Sequence, residues 1–99
     1  MRAPQSQEAV ETVFASWTEL ARAMSPLTPP ALDDRTARLI ERALRTHAPD
    51  ELIEAMRGAA ISRWHMAHGY WQLKHLLKDV GTITSHRDRW VRYQERIAQ

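Results

Sequence analysis

The sequence predicts an all-α fold, a compact bundle of four to five short helices. Three observations predict it. Apolar residues recur at three- and four-residue spacing along most of the chain. No run of four or more residues alternates in the β manner with β-branched content. The chain contains no Asn, and so no Asn-Gly hairpin turn. Four Trp among 99 residues supply the bulk for a small core, since each buried indole removes about 150–250 Å² from water. The expectation is one domain over 1–99, with 1–5 as a flexible N-terminus and 25–31 as a Pro-rich interhelical loop.

The first helix is expected from about Ser6 to Met24, where Val10, Val13, Phe14, Trp17, Leu20, Ala21 and Met24 share a face. Ser25–Ala31 reads Ser-Pro-Leu-Thr-Pro-Pro-Ala, which no helix continues through. A second helix runs from the Asp33 cap to Thr46, with Leu39, Ile40, Ala43 and Leu44 as its stripe. A third opens at Pro49, a first-turn residue whose missing N–H costs nothing, and carries Leu52, Ile53, Met56, Ala59 and Ala60. Gly58 within it permits close approach of a neighbouring helix. A fourth is expected over Gly69–Asp79, carrying Tyr70, Leu73, Leu76 and Leu77 and ended by Val80-Gly81. A fifth runs from His86 to Ala98 behind a Ser85 cap, with Trp90 and Val91 directed inward. The expected core is Trp17, Leu20, Leu39, Ile40, Leu44, Leu52, Ile53, Met56, Leu73 and Leu77.

Composition bounds the function. Without cysteine there are no disulfides or thiolate metal sites, which suits the cytoplasm. Met1–Gln7 has no apolar signal region, and no apolar run approaches the ~20 residues of a membrane span. The expectation is a cytoplasmic protein with no membrane partner. Net charge is +2 but unevenly placed. Residues 1–55 carry six Arg against nine acids, and residues 56–99 carry eight Lys or Arg against three acids. Twelve of the fourteen cations are Arg, the side chain suited to bidentate phosphate contacts.

Chemistry is sparse. There is no P-loop, no dinucleotide fingerprint and no Gly-x-Ser-x-Gly elbow, so neither a catalytic residue nor a cofactor is expected. The acidic pairs Asp33-Asp34 and Asp50-Glu51 sit at helix starts, where capping accounts for them. His65, His68 and His75 fall near one helical face without an accompanying carboxylate, so no metal site is expected. Trp64-His65-Met66 is expected to be a structural motif, with Trp64 wedged between helices. The basic, aromatic second half is the candidate binding surface: Arg63, Lys74, Lys78, Arg87, Arg89, Arg92 and Arg96, for nucleic acid or a protein partner. Arg89, Arg92 and Arg96 are i, i+3 and i+7 on one face, with Arg87 to one side.

From Val13 to Asp79 the chain resembles the C-terminal domain of phage and prophage replication proteins, replisome organisers or helicase-loader-like components that are distantly DnaD-like. The resemblance rests on Val13-Phe14-Ala15-Ser16-Trp17, on Leu32, Arg35 and Ile40 with Ala43-Leu44, and on Pro49-Asp50-Glu51-Leu52 running to Gly58-Ala59-Ala60. It continues through Ser62-Arg63-Trp64-His65-Met66 and closes on Tyr70, Leu73, Leu77 and Asp79. The chain departs from the pattern at Ala48, which replaces a Thr cap, and at the short Ala67-His68-Gly69 loop. The family domain normally follows a winged-helix domain, and the expectation is a stand-alone copy without one. The resemblance implies a phage- or mobile-element-derived replication accessory that binds DNA, a replicative helicase, or both. DNA binding is expected to be weak and sequence-independent. The alternative is a small adaptor or inhibitor that docks on host protein machinery without DNA.

Overall fold

The computed structural model describes residues 3–24 and 31–98, with side chains from residue 7 onward. The described residues form six helices and no strand: α1 (Ala3–Met24), α2 (Asp34–Leu44), α3 (Pro49–Ala60), α4 (Arg63–Ala67), α5 (Leu73–Leu76) and α6 (Val80–Ile97). The all-α bundle is as the periodicity predicts, and two of its helices, α4 and α5, are short. The Pro-rich loop lies outside the described residues except for Ala31, as do Met1 and Arg2 of the expected flexible N-terminus. Residues 3–5 are helical, so α1 starts ahead of Ser6. Pro4 accounts for this tolerance, because a first-turn N–H has no partner to lose.

The helix α3 is the hub, with α6 packed along it and α1 against another side. Val10, Val13, Trp17 and Ala21 face the core from α1 at spacings of three and four. Leu52, Ala55, Met56 and Ala59 do the same from α3, while α2 contributes Ile40 and Ala43. Of the expected core, Trp17, Ile40, Leu52, Met56, Leu73 and Leu77 are buried. Leu20, Leu39 and Leu44 pack at its margin, and Ile53 is half-buried. Val13, Leu76 and Ile83 are fully buried positions that the expected core omits.

Two boundaries differ from expectation. The helix expected over 69–79 is shortened to Leu73–Leu76, because Gly69, whose φ of +77° lies in the left-handed region that favours glycine, turns the chain where that helix is expected to start. A turn through Tyr70 and Trp71 follows before α5. The Trp17 indole holds that turn, donating to the Trp71 carbonyl at 3.0 Å with the two rings stacked 6.1 Å apart. Val80-Gly81 starts a helix instead of ending one. Asp79 is extended and its carboxylate accepts from Thr82 N at 2.7 Å, which makes it the cap of α6. Ser85 therefore lies inside α6 and caps nothing.

At Gly58, α3 and α6 meet backbone to backbone. A Cβ there would lie 2.7 Å from the carbonyl carbon of His86, so no side chain fits. Eighteen residues of α6 against twelve of α3 leave the last turns of α6 extending past its partner. Residues 91–98 are all exposed for that reason. Trp90 is only half-buried and Val91 is exposed, which corrects their expected inward direction. Arg57 lies 5.7 Å from the Trp90 ring and covers part of it.

Candidate functional site

Local capping builds one wall of the site. Ser62 precedes α4, and its hydroxyl accepts from His65 N at 3.3 Å and lies 2.6 Å from His65 Nδ1. The positive φ of Gly69 turns the chain back, so that Tyr70 N donates to the His65 carbonyl at 2.9 Å. Trp64, His65, His68 and Tyr70 are thereby gathered into one aromatic cluster. Trp64 stacks on His68 at 4.4 Å and lies 5.3 Å from Tyr70, which meets His75 edge-on at 5.0 Å. His68 Nδ1 donates to the Trp64 carbonyl at 2.7 Å and is fixed against it.

The first turns of α6 form the opposite wall. Gly81, Thr82, Ser85 and His86 face the Trp64, His65, Tyr70 and His75 rings across an open cleft of about 690 Å³, with Lys78 and Asp79 at its rim. A second groove, of about 290 Å³, continues along α6 between Ser85, Asp88, Arg89, Arg92 and Arg96. Ser85 borders both, so cleft and groove are contiguous.

His86 lines the cleft beside Ser85. It is 97% buried, since only 3% of it is exposed, and its ring meets His65 edge-on at 4.7 Å. Arg89 Nη1 donates to His86 Nδ1 at 2.6 Å. Because arginine stays protonated, Nδ1 accepts and the imidazole proton resides on Nε2. Burial first, then the Arg89 and His65 charges, pushes His86 down to about 4, so the ring is neutral at pH 7. Burial, aided by Arg89 and His68, also lowers His65.

The structure divides the predicted binding residues into two groups. Arg63 and Lys74 are exposed on α4 and α5, Lys78 is at the cleft rim, and Arg92 and Arg96 line the groove. Arg87 is instead an interhelical tie, 2.8 Å from Glu54 and 3.4 Å from Glu51, and the Glu54 hydrogen bond raises its pKa. Arg89 is an internal strut. It donates to the Gly58 carbonyl at 3.3 Å as well as to His86, and burial lowers its pKa. Both are engaged within the fold, and Arg89 also lines the groove.

Trp64 is also corrected. It is 56% exposed and wedges nothing apart; Trp17 and Trp71 take the structural part expected of it. His65 and Met66 are half-buried. Tyr70, Ser85 and His86 were missed as site residues. For Ser85 and His86 the signal is the start of α6: from Asp79, Ile83 and His86 fall at i+4 and i+7 on the buried face. Among the described residues, no three His, Asp or Glu side chains are grouped to hold a metal ion. No family model, curated protein or solved structure matches the chain.

Proposed function

We propose that the chain is a nucleic-acid-associated accessory module, of the replication type its central motifs resemble, that holds single-stranded DNA along the cleft and groove of α6. Trp64 carries the reading. An indole more than half exposed, beside Arg63 and clustered with Tyr70 and His68, is a surface on which bases stack. Lys78 at the rim and Arg92 and Arg96 in the contiguous groove supply cations for the phosphates. Neither arginine makes an ion pair among the described residues. Stacking and phosphate contacts read no base edge, so binding is sequence-independent, and a handful of exposed cations makes it weak and salt-sensitive. A replicative helicase is the protein partner that the same resemblance implies.

Gel shifts of single-stranded, forked and duplex DNA across a salt series test this. Single-stranded and forked DNA should bind at low salt, with affinity falling steeply as salt rises. Arg92→Glu with Arg96→Glu should weaken binding about tenfold or more and reduce the salt slope by about 2, leaving circular dichroism unchanged. Absence of binding to every form at low salt would reject the proposal. One observation favours the protein-binding alternative: Tyr93 and Ile97, at i and i+4, are 37% and 65% exposed on the projecting end of α6. If DNA binding is absent, capture of a helicase by the wild type and its loss on Ile97→Glu would support that reading.

A further inference from the structure

We infer that the cleft between α4–α5 and the first turns of α6 is a pocket for one unpaired nucleotide, its base stacked on Trp64 and Tyr70 and hydrogen-bonded at its edge by His86 Nε2, its phosphate meeting Lys78. The inference rests on the nucleic-acid reading and specifies the ligand of that site. The cleft's volume of about 690 Å³ falls within the roughly 300–1,000 Å³ of small-molecule sites. One wall is formed by aromatic rings and the other by short polar side chains, Thr82 and Ser85, together with His86. That is the amphipathic arrangement a nucleobase needs: a ring for its face and donors for its rim.

The orientation of His86 gives the pocket one donor that any base can accept, which keeps binding sequence-independent. Its Nδ1 is occupied by Arg89, so the N–H is on Nε2. Among the described residues Nε2 has no hydrogen-bond partner, and none of their buried polar side-chain atoms is left unpaired. Nε2 is therefore reached by solvent, and the solvent-filled space that His86 borders is the cleft. A side chain otherwise enclosed by α3 and α6 thus presents one donor of fixed tautomer to the pocket, suited to a ring nitrogen or carbonyl oxygen on a base.

The shared chemistry, a planar base with a phosphate beside it, is met by a free nucleotide or by one residue of a strand. Asp79 discriminates between them. Its carboxylate stands at the rim next to Lys78, lowered in pKa by the Thr82 hydrogen bonds and therefore ionised at neutral pH. It repels a phosphomonoester dianion more than the single charge of a phosphodiester, which favours a residue within a strand.

Three probes test the inference: an oligodeoxyadenylate, an abasic oligomer of equal length, and dAMP. The wild type should bind the base-bearing oligomer about tenfold or more tighter than the abasic one, and dAMP far more weakly than either. Trp64→Ala, a change at an exposed position, should bind the two oligomers alike, and Trp64→Phe should restore the difference. Equal wild-type affinity for both oligomers, still weakened by Arg92→Glu with Arg96→Glu, overturns the pocket and leaves the nucleic-acid reading standing. Binding of dAMP alone, lost in Trp64→Ala, keeps the pocket and overturns the strand as its occupant. Failure of all three probes to bind at low salt overturns both.

Discussion

Gly58 and His86 together set the distance between the two longest-packed helices. His86 can be buried because Gly58 has no Cβ to hold its backbone away, and Arg89 then bridges the Gly58 carbonyl and the His86 ring. Alanine at position 58 gains about 1 kcal/mol of helix propensity. It loses more, because the atoms in its way are backbone and cannot rotate aside. Gly58→Ala should destabilise by about 1–3 kcal/mol, read as a lower urea midpoint; an unchanged or higher midpoint would contradict the close approach. The role of Gly58 is legible in the sequence as a glycine inside a helical pattern. Its partner is not, since nothing local says which residue of which helix faces it. Trp64 shows the same limit: a Trp in an apolar helical context is usually buried, yet α4 buries none of its residues and leaves this one outside.

At the scale of the helix, caps decide the boundaries. Asp33 is recognisable because an apolar stripe follows it, and Thr36 N donates to its carboxylate at 2.8 Å as expected. Asp79 has the same Asp-x-x-Thr spacing, but Gly81 stands in its first turn and Val80 is exposed, so the segment looks like a terminator. The glycine is tolerated because a first-turn position on the surface needs neither packing nor much propensity. Placing the start of α6 at Val80 brings Ile83 into the core and Ser85 and His86 to the cleft. That is why this one boundary concealed most of the candidate site. Asp79→Ala should lower the melting temperature by removing the cap, whereas Ser85→Ala should leave it unchanged. The opposite pattern would return the helix start to Ser85.

For the molecule as a whole, the fold class and much of the core follow from periodicity, while the site depends on side chains from α4, α5 and α6 converging through turns. The charge asymmetry in the sequence is real but overstates the free cations, because two of the seven expected binding residues, Arg87 and Arg89, are consumed in holding α6 to α3. The same interface gives the protein its response to acid. His86 titrates near 6.5 when unfolded and at about 4 when folded. Between these values the unfolded chain binds the extra proton, so stability from this group is complete above about 6.5 and falls as pH drops toward 4. The loss is on the order of 2 kcal/mol after allowance for solvent screening, and His65, lowered in the same direction, adds to it. Asp33 and Asp79 act in a lower window. Their carboxyls are held below 3.8 by the Thr36 and Thr82 hydrogen bonds, so their contribution is present above 3.8 and is lost as pH falls through the folded values. Urea midpoints measured from pH 7.5 downward should therefore decline first across the histidine window and again below about 4. In Asp79→Ala the first decline should persist and the second should shrink. A midpoint that stays flat from pH 7 to 4.5 would mean that His86 is not enclosed between α3 and α6 as the fold places it.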